Sequence, residues 1–144
     1  MNELVYRNLS EDAKRQICAW KYGGEYDLYN LPSYEEMQVR QIGFMNPQSE
    51  KNYYGFWDES ILVGFVNILE EKEEVFIGIG VNPDLCNKHY GQRMLLITYE
   101  ISKKLYPNKP LYLEVRTWNI RAIKCYQKAG FRIDGQAYEL TTGI

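Results

Sequence analysis

Residues 119–131 read N-I-R-A-I-K-C-Y-Q-K-A-G-F and follow the strand-like run 111–116, L-Y-L-E-V-R. Asn119 is a residue type that caps a helix, because its side-chain oxygen can accept a hydrogen bond from a first-turn backbone N–H. Ala122, Tyr126 and Ala129 then fall on one face at helical spacing. Gly130 suits the left-handed residue that ends a helix, and Phe131 opens the next apolar segment. The unit is a strand, a capped helix of about two and a half turns and a stop. Such a unit occurs in many folds, so the flanking segments decide between them.

Upstream, 91–105 is the longest helical pattern, with Met94, Ile97, Ile101 and Leu105 on one side. Before it, 75–81 reads as a strand ended by Pro83, and 52–57 and 61–69 read as two strands around the turn Asp58-Glu59-Ser60. The polar cluster 70–74 makes a hairpin turn. Near the amino terminus a short strand, 4–8, precedes a helix capped by Ser10, with Glu11 and Asp12 in its first turn, which runs to about residue 21 and breaks at Gly23-Gly24. A tyrosine-rich loop, 25–31, leads to Ser33-Tyr34-Glu35-Glu36, a capping box that opens a second helix ending near Gly43. Downstream, 131–133 is expected as strand, and 138–140 has some strand character. The order β-α-α-β-β-β-α-β-α-β predicts an α/β (α+β) fold, a mixed central sheet flanked by helices, in one domain spanning 1–144.

The bulk composition narrows the function classes. A formal net charge of -2 gives no global pull toward nucleic acid or an anionic membrane. The first residues show no basic and apolar secretion signal, and no apolar run approaches the roughly 20 residues of a membrane helix. The three cysteines, Cys18, Cys86 and Cys125, have no metal-ligand spacing, and His89 is the single histidine. Free thiols in the cytoplasm and no metal are the expectation. A histidine-based triad has the same single candidate, with no nucleophile placed beside it.

The string L-E-V-R-x-x-N-x-x-A-x-x-x-Y-x-K-x-G-F over 113–131 resembles the closing motif of the GCN5-related N-acetyltransferase (GNAT) family, bacterial type. The predicted element order is also that of the GNAT fold, so the resemblance spans nearly the whole chain. Members usually close with a further strand. Here that strand is either shortened to 138–140 or belongs to a natural C-terminus lying further on. A strand feeding a loop that opens a helix makes an anion site, because unpaired N–H groups converge with the positive helix end. In the family that loop grips the coenzyme A pyrophosphate. Its form P-x-L-x-G-K-G-x-G would place glycines at 87, 89 and 91; only Gly91 is present, with Asn87 and His89 in the other two places.

The resemblance implies acetyl-CoA as acyl donor. The backbone of Ile79 and Val81 would meet the pantetheine arm, Asn87, Lys88, His89, Tyr90, Gly91 and Gln92 the phosphates, and Asn119, Ala122 and Tyr126 the pantetheine and its sulfur. Gly78 and Gly80, on one face of the same strand, mark either tight packing or a ligand's approach. Tyr126 is the candidate acid, since a phenol with a pKa of about 10 stays protonated at neutral pH and can donate to a departing thiolate. Glu114 is the candidate base, carried over from the glutamate of L-E-V-R-x-x-N in bacterial acetyltransferases of ribosomal-protein N-termini. An exposed strand carboxylate is the equal alternative, and Glu73 and Glu74 are further acids. Trp20, Tyr22, Tyr26 and Tyr29 are candidate substrate contacts, either facing an amine or forming an aromatic cover packed on the sheet. The implied reaction is direct attack by a small-molecule or peptide amine on acetyl-CoA, in a monomer or homodimer. The alternative is a CoA-binding module without catalysis.

Overall fold

Strands rich in β-branched and aromatic residues, joined by very short polar turns, can only pair as hairpins. The computed structural model, which describes residues 3–133, has β1 (Val5–Asn8), β2 (Tyr53–Asp58), β3 (Ile61–Glu70) and β4 (Val75–Val81), with β2, β3 and β4 forming such hairpins. With β5 (Leu111–Tyr112) they make a sheet of order β1-β2-β3-β4-β5, antiparallel except for the parallel β4–β5 pair. Helices α1 (Glu11–Ala19) and α2 (Tyr34–Arg40) cover one face, and α3 (Tyr90–Leu105) and α4 (Ile120–Lys128) the other. The mixed sheet flanked by helices is the architecture expected from the sequence.

Each face buries its own apolar layer. Val66, Ile68, Val75 and Ile77 meet Met94, Leu95 and Ile101 on the α3 side, while Ala13, Ile17, Met37, Phe44 and Trp57 pack on the α1/α2 side. A bulge sorts the residues between them. Phe56 pairs with Gly64 but Trp57 pairs with Leu62, leaving Val63 as an extra residue in β3. Val63 therefore joins the α3 layer and Leu62 the opposite one. Gly64 lets α3 approach, because a Cβ there would lie 2.6 Å from both the Gly80 carbonyl oxygen and Met94. The two N-caps work as the sequence implies: Ser10 accepts from the Ala13 N–H and Ser33 from the Glu36 N–H, both at 3.1 Å.

Three expectations change. The fifth strand stops at Tyr112 instead of running to residue 116. Its ladder comprises only Val75–Leu111 and Phe76–Tyr112, and further along β4 the Val81 carbonyl is taken by the Tyr22 hydroxyl at 2.6 Å. Residues 131–133 are not a strand. The Phe131 N–H is used in the helix cap, donating to the Tyr126 carbonyl at 3.0 Å behind Gly130 at φ 106°. The first two helices also end early: Trp20 leaves α1 in extended conformation, and Gln41 closes α2 in the left-handed region at φ 53°. The stretch 138–140 lies outside the described residues.

Candidate active site

Pairing parity decides which atoms of β4 are available. The Asn82 N–H donates to the Val63 carbonyl at 2.8 Å, and the Val75 N–H donates to the Pro110 carbonyl at 2.9 Å. Even-numbered residues thus bond toward β3, and odd-numbered ones turn their N–H and C=O toward β5. Among the described residues no strand pairs on that side with Ile79 or Val81. Both are residues expected to offer backbone.

After β4 the chain makes a short 3-10 turn, Pro83–Leu85, anchored by Asn82, whose Oδ1 accepts from the Asp84 N–H at 3.0 Å and whose Nδ2 donates to the Leu62 carbonyl at 3.1 Å. Asn87 and His89 then adopt φ of 68° and 67°. Those are two of the positions where the related motif carries glycine, so the loop keeps a glycine-like path with residues for which it costs about 1–2 kcal/mol each. His89 ends in the left-handed region as the residue before α3, with no side-chain cap bond. The N–H groups of Tyr90, Gly91 and Gln92 precede the first bond of the helix, from the Arg93 N–H to the His89 carbonyl. They sit at the positive end of a 16-residue helix.

The side chains of this loop divide. The Tyr90 hydroxyl donates to Asp58 at 2.6 Å, and the Gln92 amide donates to the Lys128 carbonyl at 3.4 Å, so both point into the scaffold. Asn87, Lys88 and His89 are exposed. Gly91 is buried because a Cβ there would lie 3.0 Å from the Cys125 sulfur; the glycine lets α4 close on α3.

At the head of α4, Asn119 is only 6% exposed. Its Oδ1 accepts from the Ala122 N–H at 3.2 Å, as a cap should, and its Nδ2 donates to the Tyr29 hydroxyl at 3.0 Å. Ala122 is half-buried beside it. Tyr126 lies further along, packed against the α3-side core. Burial, with Cys125 and Tyr29 nearby, pushes its hydroxyl well above the ordinary phenol range, so it holds its proton. Glu114 is exposed in the irregular stretch after β5. It acts electrostatically on Tyr112, whose hydroxyl donates to Glu71 at 2.8 Å and is pushed up to about 12 by burial first and then by Glu71, Glu74 and Glu114. Glu73 and Glu74 belong to the exposed part of the β3–β4 turn.

The tyrosine-rich segment forms a 3-10 turn, Gly24–Tyr29, tied back by the Tyr22 N–H donating to Asn30 Oδ1 at 2.6 Å. Trp20 packs on Phe65 of the sheet, with ring centroids 6.3 Å apart. Tyr22 reaches the Val81 carbonyl, and its own burial drives its hydroxyl well up. Tyr26 and Tyr29 lie 5.6 and 6.3 Å from Trp118, and the Arg121 guanidinium stands 4.1 Å from the Tyr26 ring centroid. Three of the four candidate substrate residues therefore meet the end of β4 and the head of α4. Trp118 and Arg121 complete this cover and carried no mark in the sequence beyond their place beside Asn119. Among the described residues no group of three or more His, Cys, Asp or Glu could hold a metal ion, and no helix is long and apolar enough to cross a membrane.

Comparison with curated protein sequences gives no match. Solved structures do match. A chimera of the spermidine N-acetyltransferase SpeG from Vibrio cholerae and hSSAT is 20% identical with a TM-score of 0.77, over 93% of this chain and 83% of that one. An acetyltransferase (GNAT family) from Bacillus anthracis is 18% identical at a TM-score of 0.75, over 93% and 82%. The structure of AAC(6')-Ib in complex with ribostamycin and coenzyme A is 16% identical at 0.73, over 93% and 86%. At these identities the likeness carries the fold. The profile of the Acetyltransferase (GNAT) family matches residues 9–131, from the end of β1 through the Gly130-Phe131 stop. With the open β4 edge, the left-handed loop and the capped α4 all inside that span, this chain belongs to the acetyltransferase (GNAT) family, whose members are acyltransferases.

Proposed function

We propose that this chain transfers an acetyl group from acetyl-CoA to an amine acceptor by direct attack in a ternary complex. The observation that carries the reading is the continuity of the open β4 edge with the left-handed turns at Asn87 and His89 and the free head of α3. A chain of amides and a pyrophosphate fit that sequence of groups: strand-like bonding at Ile79 and at the Val81 N–H, whose carbonyl Tyr22 holds, then the N–H groups of residues 90–92 with Lys88 and His89 alongside. On this reading Asn119 and Ala122, at the head of α4, flank the pantetheine. When bound, acetyl-CoA supplies the activated acetyl group and leaves as the thiol.

The protein's part is positioning and proton handling. Tyr126 keeps its hydroxyl proton at neutral pH and delivers it to the departing sulfur. Glu114 takes the proton lost by the amine. Tyr22, Tyr26 and Tyr29 exclude water from the opening and border the acceptor, while Trp20 braces their loop against Phe65 of the sheet. One related fold bears the name of a spermidine N-acetyltransferase and another is in complex with ribostamycin and coenzyme A, so spermidine and ribostamycin are the first acceptors to try.

Calorimetric titration with acetyl-CoA, followed by thiol release against spermidine, ribostamycin, amino acids and a peptide, tests the reading. Absence of acetyl-CoA binding sinks it. A second reading, CoA binding without transfer, draws on the exposure of Glu114 and on the engagement of Asn119 and Val81 by Tyr29 and Tyr22. It predicts binding with no thiol release from any amine.

A further inference from the structure

One buried polar atom is used by none of these roles. Asn67 lies mid-way along β3, with Tyr53 of β2 across from it on one side and Gly78 of β4 on the other. It shares a face with Phe65, which packs into the α1/α2 layer. Its Oδ1 is buried and accepts no hydrogen bond among the described residues. Folded proteins almost always give a buried amide oxygen a donor, because stripping it of water uncompensated is costly.

Two features point to a ligand as that donor. The first is the neighbour at Gly78. A Cβ there would make only ordinary contacts, 3.5 Å from Asn67 Cβ and 3.7 Å from Phe76, whereas at Gly80 it would strike the Phe65 ring at 2.4 Å. Packing thus explains Gly80 and leaves Gly78 unexplained. The second is the edge of β4. The ladder to β5 ends at Phe76–Tyr112, so Gly78 stands two residues past the last pair, where among the described residues no strand covers that side of β4. Asn67 thus borders a glycine that carries no side chain, at the start of the uncovered edge of β4.

We propose that Asn67 Oδ1 anchors the acceptor amine, and thereby selects primary over secondary amines; this rests on the acetyl-transfer reading above. A neutral primary amine has two N–H groups and one lone pair. The lone pair forms the new C–N bond as the C–S bond breaks. One N–H proton passes to the Glu114 carboxylate, the sulfur takes the Tyr126 proton, and the other N–H stays on Asn67 Oδ1 through to the product amide. A secondary amine gives up its single N–H and leaves the oxygen without a donor. Asn67 is a substrate-positioning group, and its nearest apolar match is leucine.

The test compares wild type with Asn67→Leu, using n-butylamine and N-methylbutylamine. The expected result is a fall of about tenfold in kcat/KM for the primary amine, close to one hydrogen bond. The secondary amine should change little, so that the preference collapses. Melting temperature should hold or rise, and acetyl-CoA affinity should stay the same. Equal losses on both amines, no loss at all, or a loss that tracks a lower melting temperature would overturn the proposal. A turnover-free measurement stands beside it: the Asn67 side-chain amide resonance should move when n-butylamine is added to protein saturated with CoA, and a static resonance also overturns the anchor. Calorimetry with acetyl-CoA separates the two claims. If wild type binds no acetyl-CoA, the transfer reading fails, and the same titration without CoA still judges Asn67.

Discussion

The two faces of the sheet offer ligands different things. On the α3/α4 face the side chains form a dry apolar layer of Val66, Ile77, Met94 and Leu95, and what is left for a ligand is backbone: the β4 edge and the head of α3. On the α1/α2 face the offering is side chains. Tyr22, Tyr26 and Tyr29 gather from one loop, Lys14 is buried against Glu11 and Glu50, and Asn67 holds its oxygen without a donor among the described residues. Backbone recognition needs the right elements in the right order, with a few residues that tolerate the left-handed region. Side-chain recognition needs particular residues from distant segments to meet.

The largest effect expected is on the α4 side of the opening. Tyr126→Phe should lower kcat about 100-fold while leaving the Kd for acetyl-CoA within about twofold, since a positioned acid contributes roughly that much. Full turnover in this variant would mean that the face contributes backbone only. Next comes the packing that lets the two faces share one sheet. Gly64→Ala should cost about 1–3 kcal/mol, because its Cβ would meet the Gly80 carbonyl oxygen, and the loss is measured by urea denaturation. Gly78→Ala serves as its control and should cost less than about 0.5 kcal/mol; equal costs would show that Gly78 is also a packing glycine.

A smaller effect, of opposite sign, is expected in the loop. His89→Gly removes a side chain from the left-handed region and should stabilise the fold by about 0.5–1 kcal/mol in urea denaturation. Loss of stability would instead assign the imidazole a contact of its own. Least visible near neutrality is the titration of the buried phenols. Tyr22 and Tyr126 ionise at higher pH in the folded chain than their ordinary value of about 10. The unfolded chain therefore loses these protons first, so their stabilisation is intact below about pH 10 and is lost above it. Urea midpoints should hold from pH 7 to 9 as far as these groups act and then fall, less steeply in Tyr22→Phe.

Much of the fold was legible in local pattern. β4 matches its sequence reading end to end, and α3 and α4 begin within a residue of the expected places, because caps, glycine stops and apolar spacing act over a few residues. The Asn119 cap and the left-handed positions 87 and 89 were legible for the same reason. β5 was misjudged, since L-Y-L-E-V-R has strand composition throughout but a strand needs a partner. Its own sequence says nothing of Tyr22 holding the Val81 carbonyl, nor that the ladder closes at Tyr112.

The sequence by itself determined the order of elements, the ends of most of them and the identity of the motif residues, all set by backbone preferences and nearest-neighbour chemistry. Only the tertiary structure decided where the tyrosines went. It took the bond of Tyr29 to Asn119 across 90 positions, and of Tyr22 to Val81 across 59, to bring the aromatic loop onto the head of α4 and the end of β4. It also decided that Gly80 is filled by Phe65 while Gly78 lies open beside Asn67. Contacts between distant segments are fixed by how whole layers pack, and that information is spread over the chain instead of written at either residue.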